Sequence, residues 1–378
     1  MSTIKSVYLQ HLNGTTPNAT MDTNGNFTVG GTVSGASSNM FRNRIINGDM
    51  RIDQRNAGAS ISSGWVVDRF TVDVSQSSKL TTQQNAGSVT PPVGFKNYLG
   101  ITSSSSYSVG STDYFLASQR IEGYNFADLM WGTANAKTVT LSFWVRSSLT
   151  GTFGGSFRNA DDSRSYVFSY TVNSSNTWEY KTITLTGDTS GTWNTTNGRG
   201  VNISFGVGIG STYSGTAGSW SSSNYLSVTS ATSVVGTNGA TWYITGVQLE
   251  AGTAATPFEV RPFGLEFDLC KRYYQTFGGN SSNERLGSCF NYGTAQARCP
   301  VLLAPVMRAT PTLTVSAGSD WSVESSSTVA CTSVAFDQAS PRVAALNFSV
   351  ASGLTSGQGG QIMANATTNA RVNFSAEL

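Results

Sequence analysis

The feature that most constrains this chain is a strict two-residue alternation. In residues 201–210, Val201, Ile203, Phe205, Val207 and Ile209 share one parity and Asn202, Ser204, Gly206, Gly208 and Gly210 the other. Successive side chains point to opposite faces only in a β-strand, so one face of this segment is built for a core. The bare glycine face can admit another chain or a ring very closely. Residues 138–146 repeat the pattern, with Val139, Leu141, Phe143 and Val145 opposite Thr140, Ser142, Trp144 and Arg146. Tyr166, Phe168, Tyr170 and Val172 form a third stripe. In residues 178–186 the apolar parity moves from Trp178 and Tyr180 to Ile183 and Leu185, which predicts a bulge near Lys181. Many such strands, separated by Gly-rich turns without helical stretches, predict an all-β chain built on an antiparallel β-sandwich.

The 378 residues suffice for two domains with real cores, so neither disulfides nor metal are needed for folding. Charged residues are 12%, about half the usual share, and the net charge of +2 gives no electrostatic footprint for nucleic acid or an anionic membrane. No apolar run is long enough for a membrane span. The opening MSTIKSVYLQHLNG contains no signal-peptide h-region, which predicts synthesis in a cytosol and action outside a cell only by release with a particle. Cys270, Cys289, Cys299 and Cys331 show no CxxC spacing, and the one histidine, His11, is far away in sequence. Buried free thiols are expected rather than a zinc site.

The chain divides into four parts. Residues 1–44 form an attachment or oligomerisation arm with two strand-like pieces, 6–12 and 25–29, and an Asn24-Gly25 hairpin signal. Two small strands cannot bury a core, so the arm must pack on a copy of itself, a partner or the body. Residues 45–261 form the main sandwich and 262–279 a connector helix. That helix is marked by Pro262, by Leu265, Leu269 and Tyr273 at i, i+4, i+8, and by an Asp268–Arg272 pair, with Gly278-Gly279 closing it. Residues 280–378 form a second, smaller β-sandwich domain, with strands at 312–316, 343–350 and 371–375 and prolines at edges and turns.

FRNRIINGDMRIDQRNAG (41–58) followed by GWVVDRF (64–70), LSFWVRSS (141–148), TWEYKTITLTGDTSGTW (177–193) and YITGVQLEAGTAATPFEVRPFGLEFDLCKRYYQTF (243–277) resemble a jelly-roll domain of tailed-bacteriophage tail fibres. MRATPTLT (307–314) and FSAEL (374–378) resemble the C-terminal domain of the same proteins, and DTNGNFTVGGTVSG is similar to their short N-terminal modules. The resemblance covers most of residues 41–378, and its most specific part is QLEAG…TPFE…R…CKRYYQ. It implies a virion structural protein, a homotrimer attached to other virion proteins by its N-terminus and presenting its β domains to a host-surface glycan. The jelly roll of that family is similar to carbohydrate-binding modules, in which an Asp late in the last strand often helps hold a structural calcium. Here that stretch reads Ile244-Thr245-Gly246-Val247, without Asp, so no metal or other cofactor is expected, and Asp49 and Glu250 remain as the candidate oxygen ligands for a calcium.

A sugar offers an apolar ring face and a rim of hydroxyls, so its site needs aromatic rings beside planar polar groups. The candidates are Trp144 and Arg146 on the polar side of their strand, Trp178 and Tyr180 at a strand start, and Trp193, Tyr213 and Trp220 in Gly/Ser/Thr loops. The competing role for a loop tryptophan is to cap the open end of a sandwich. Catalysis has little support. Asp161-Asp162 are adjacent and suit a turn, and Asp68-Arg69 suits a structural pair. With Asp53 they make no evident facing pair for glycoside hydrolysis, and with one histidine no Ser-His-Asp or Cys-His set is in view. A non-catalytic fibre or adhesin subunit is the leading expectation. A capsid, collar or baseplate decoration protein without receptor binding, and a polysaccharide depolymerase, are its rivals.

Overall fold

The structure, a computed structural model, describes residues 41–378, and before them the backbone of three short strands only. Tyr8–Leu9, Ala19–Met21 and Phe27–Val29 pair as an antiparallel three-stranded sheet in the unit Met1–Arg42. The sequence predicted two strands here, and Ala19–Met21 is the additional, central one. Of the rest of that arm, only residues 41–44 are described.

In the unit Asn43–Leu378, two antiparallel sheets face each other. One has seven strands, in the order Trp220–Ser221, Ser165–Val172, Gly151–Arg158, Arg199–Ile209, Tyr114–Glu122, Phe70–Val74, Gly64–Val67. The other has five, in the order Glu179–Leu185, Val139–Ser147, Thr241–Ala251, Leu99–Ser103, Leu80–Gln84. The stripes read from sequence meet between them: Val139, Leu141, Phe143 and Val145 from one sheet, Phe168, Tyr170, Ile203, Phe205 and Val207 from the other, all buried. Hydrophobic burial of these stripes is what stacks the sheets. Trp242 is fully buried and donates its Nε1–H to the Tyr170 hydroxyl at 3.0 Å, so its one polar atom is satisfied within the core.

The glycine face of Arg199–Ile209 is covered closely, as its lack of side chains allows. A Cβ on Gly208 would lie 2.4 Å from Val235 Cγ2, and one on Gly210 would lie 2.2 Å from the Gly110 carbonyl oxygen. The chain that packs there is the protein's own.

The bulge predicted near Lys181 is absent: Glu179–Leu185 pairs with Val139–Ser147 in unbroken register. Tyr180 belongs to the outer face, opposite Trp144, and Trp178 precedes the strand, so the apolar parity never changes. The irregularity falls instead in Thr241–Ala251, between Thr245 and Gln248, where Gly246 takes a positive φ of 62°.

The helix is shorter than expected, Phe263–Lys271, and the chain turns straight into the strand Tyr274–Phe277. The expected Asp268–Arg272 pair does not form. Asp268 meets Lys271, and Arg272 turns to Glu122, at 2.6 Å. Glu122 is almost fully buried, and a buried carboxylate needs a cation more than an exposed Asp268 does.

The smaller β unit differs from a second sandwich. Six strands, Arg285–Gly293, Gln296–Leu302, Val343–Val350, Thr328–Ala339, Trp321–Glu324 and Gly359–Ala364, close into a barrel in that order. Closure removes the sheet edges that a small sandwich would expose. Trp321, Val323, Leu346, Phe348 and Ile362 fill it. A separate three-stranded sheet, Tyr274–Phe277, Val372–Ser375, Thr312–Val315, adjoins it. Pro300 fits within a barrel strand because Gln296–Leu302 pairs beyond Arg298 on one side only, with Val343–Val350.

All four cysteines are buried and free. Burial pushes the Cys289 thiol up to about 11 and those of Cys299 and Cys331 up to about 12, and Cys270 is also raised. Thiolate, the reactive form, is therefore scarce near neutral pH. An aromatic disulfide reagent at pH 8 is expected to leave the native thiols unmodified while titrating all four in denaturant. Rapid native labelling of one thiol would contradict the described burial.

Candidate binding grooves on the two outer faces

The sandwich carries a groove on each outer face. The first lies on the seven-stranded sheet, has a volume of about 530 Å³ and is mainly polar. Its floor follows from alternation and register. Phe157, Ile203 and Ile121 turn into the core, so Arg158, Asn202 and Arg120 turn out; Arg158 pairs across strands with Asn202, and Asn202 with Arg120. Three adjacent strands thus set these planar polar groups in one row. The next outward row, Ser156, Ser204, Ser118 and Thr71, is hydroxylic, with Ser156 and Ser204 bonded at 2.9 Å.

The charged groups around this floor contact one another. Arg158 Nη1 donates to Asp162 Oδ1 and to Asn224 Oδ1, both at 3.0 Å. Arg199 Nη2 donates to the same Asp162 oxygen at 3.1 Å and to the Ala160 carbonyl. Arg120 lies 3.6 Å from Asp73 and also donates to the main-chain oxygen of Leu378. Burial lowers the Arg158 pKa, Arg199 and Arg120 push the same way, and Asp162 and Asp73 pull back. Tyr114 and Tyr213 stand edge to face at the rim, 6.1 Å apart. The groove therefore offers two aromatic rings beside arginine, asparagine and aspartate groups. Both carboxylates are engaged by guanidinium groups.

The second groove lies on the five-stranded sheet and has a volume of about 490 Å³. Trp144 and Tyr180, in direct cross-strand register, stand 5.4 Å apart. Phe95 and Phe258 pack edge to face at 5.1 Å, and Val93 and Val260 stand exposed at its margin. A side chain on Gly246 would strike Phe95 and Trp144, so the glycine keeps these rings close. The side chains here are almost all apolar, with the Ser142 hydroxyl among the few polar groups. Little is present to bond a rim of sugar hydroxyls.

The seven candidates named from sequence therefore do not share one site. Trp144 and Tyr180 meet in the apolar groove. Arg146 donates to the Asn176 carbonyl at 3.0 Å and lies over the Tyr243 ring. Trp178 packs edge to face on Tyr98 and donates to the Thr90 carbonyl at 2.9 Å. Both are thus held by a small cluster around Tyr98 and Tyr243. Trp193 is buried and Trp220 is packed against it; with Trp131 and Phe126 they plug the end of the sandwich, and their Nε1–H groups are taken by the Ser190 and Thr186 carbonyls. Only Tyr213 lines the polar groove. Arg120, Arg158, Arg199 and Asn202 were missed as site residues, although the polar parity of 118/120, 156/158 and 202/204 marked an outward face.

The residues named for calcium do not fit it. Glu250 accepts hydrogen bonds from the Thr256 N–H and hydroxyl and from Gln248, and Asp49 pairs with Arg51 at 3.3 Å. These donors occupy the oxygens a cation would need. No set of three acidic, cysteine or histidine ligands is gathered among the described residues. Of the carboxylates weighed for catalysis, Asp53 accepts from the Asn56 and Gly58 N–H groups, Asp161 from Ser163, and Asp162 from Arg158 and Arg199 in the polar groove. Asp68 and Arg69, expected to pair with each other, take different partners, Arg55 and Glu377.

No protein-family model and no curated protein matches the chain. Solved structures do align with part of the chain. A family 4 carbohydrate-binding module shows 18% identity over 55% of this chain and 98% of its own, with a TM-score of 0.27. TmCBM61 in complex with β-1,4-galactotriose shows 11% over 56% and 99%, with a TM-score of 0.29. The family 11 carbohydrate-binding module of a Clostridium thermocellum cellulosomal cellulase shows 11% over 54% and 100%, with a TM-score of 0.27. None of these likenesses places a ligand on this chain.

Proposed function

We propose that the chain is a non-catalytic structural subunit of a tailed-phage particle, of fibre or adhesin type, that holds glycan in the polar groove of its seven-stranded sheet. The observation that carries the glycan part is the row Arg158–Asn202–Arg120 beneath Tyr114 and Tyr213. Planar donors and acceptors match a hydroxyl rim, and the two rings match the apolar face of a sugar. The virion part rests on the motifs at 41–58, 64–70 and 243–277. In this reading residues 1–44 attach a homotrimer to the particle, which is assembled in the host cytoplasm and acts outside it. Three copies of a weak site gain strength by avidity.

The test is binding of the full chain to immobilised host-surface polysaccharides, with sedimentation run in parallel. A trimer retained on the polysaccharide, releasing no reducing ends, is expected. Tyr213→Ala should weaken retention about tenfold, the loss of one stacked ring of about 1 kcal/mol or more. Absence of binding even on densely coated surfaces would leave the groove without this role and favour a decoration protein. Reducing ends lost with one carboxylate would instead make it a depolymerase.

A further inference from the structure

The charges of the polar groove do not cancel in pairs. Arg120 has Asp73 to itself, but Arg158 and Arg199 share one carboxylate, and both donate to the same oxygen of it, at 3.0 and 3.1 Å. Counted over the groove lining, three arginines face two aspartates, so one positive charge lacks a carboxylate of its own. The shortage sits in a partly buried place. The Arg158 side chain is 9% exposed, while Arg199 and Asp162 stand 21% and 31% exposed, so water screens the excess from their side but little at Arg158.

Three polar atoms of the groove residues also have no partner, the Nε–H groups of Arg120 and Arg158 and the Asn202 Oδ1. The Arg158 Nε–H is an unused donor, and Asn202 Oδ1 is an unused acceptor. They belong to directly paired residues on adjacent strands. A buried donor and a buried acceptor left open side by side are costly unless something fills both. Both atoms are closed to solvent, so a ligand group reaches them only as the two side chains shift, and it must then bring an anionic or strongly accepting oxygen for the guanidinium and a hydroxyl proton for the amide oxygen. A sugar whose ring bears both a carboxylate and neighbouring hydroxyls supplies the two together.

We propose that the glycan taken by this groove is acidic, and that its anionic group is a carboxylate of the uronic-acid type held by Arg158 and Arg199 beside Asn202. The inference rests on the glycan reading above and narrows it to a class of sugar. The planar fork of a guanidinium matches a carboxylate, and the excess of one positive charge matches its single negative charge. A phosphate dianion would overfill the site while Asp162 remains in place.

The test compares a short oligogalacturonate with its carboxyl-reduced, neutral counterpart, by calorimetric titration of the full chain, with inorganic phosphate as a competitor. The acidic oligomer is expected to bind about tenfold or more tightly than the neutral one, the usual strength of one charge-assisted hydrogen bond. The advantage should shrink as salt rises, and phosphate at equal concentration should displace little of it. Arg199→Gln should erase the preference and Asp162→Asn should enlarge it, with thermal midpoints confirming that both variants fold. Equal affinity for both oligomers would overturn the acidic assignment and leave glycan binding standing. Displacement by phosphate as effective as by the oligomer would overturn the carboxylate. Binding of neither oligomer, alongside failure on host polysaccharides, would remove the glycan reading itself.

Discussion

Glu377→Ala is expected to cost about 3–5 kcal/mol of stability, the loss seen when one partner of a buried ion pair is removed. Its carboxylate, 6% exposed, bonds both Arg55 and Arg69. Arg69 has no exposed surface; its guanidinium lies 3.5 Å above the Tyr273 ring and donates to the Arg120 carbonyl. Arg55 lies 3.8 Å over Tyr274 and 3.6 Å from Asp68, whose carboxyl burial pushes up to about 6 against the pull of Arg55. Without Glu377 two guanidiniums remain in a dry seam with one carboxylate between them. The residues come from the sandwich, from the segment after the helix and from the C-terminal part, so the seam ties the β units together. Glu377→Gln keeps an acceptor without the charge and should lose less. The double variant Arg69→Met, Glu377→Ala should recover most of the loss, because an apolar side chain no longer needs the carboxylate. Urea denaturation of the wild type, Glu377→Ala, Arg69→Met and the double variant closes the cycle. A Glu377→Ala loss below about 1 kcal/mol would mean that the seam is open to water.

The contrast between this seam and the stripes shows what one sequence can reveal. Val139 to Val145 and Val201 to Val207 were readable because strand alternation is a local property, and the all-β architecture followed from it. Trp144 was placed correctly on an outer face for the same reason. The misreadings all depend on partners remote in sequence. Asp268 and Arg272 had good helical spacing, but Glu122, 150 residues away, claims the arginine. Tyr180 looked like part of a core stripe because its cross-strand neighbour Trp144 could not be known. The Arg158–Asn202–Arg120 row exists only through the register of three strands, although each residue sat on a visibly polar parity. Closure of the second β unit into a barrel likewise depends on Gly359–Ala364 meeting Arg285–Gly293.

Trp193→Ala separates the two roles open to a loop tryptophan, and about 3–5 kcal/mol of destabilisation is expected from it. Trp193 meets Trp131 at 4.9 Å and Trp220 at 5.5 Å, both nearly perpendicular, and Phe126 at 5.6 Å. Trp131, Trp193 and Trp220 come from segments that close one end of the sandwich, so truncation opens a cavity that backbone held by these same rings cannot readily fill. Trp193→Phe keeps part of the edge-to-face packing but leaves the Ser190 carbonyl without its donor, and should fall between. Tyr180→Ala, at 44% exposure, should cost no more than about 1 kcal/mol. Per folded molecule, glycan retention should be unchanged in Trp193→Ala, because the polar groove lies on another surface and the ring has no face left for a sugar. Denaturation midpoints read against retention on polysaccharide decide the matter. A Trp193→Ala protein of native stability that no longer holds glycan would place the ring in a ligand surface and take the polar groove out of contention as the principal site.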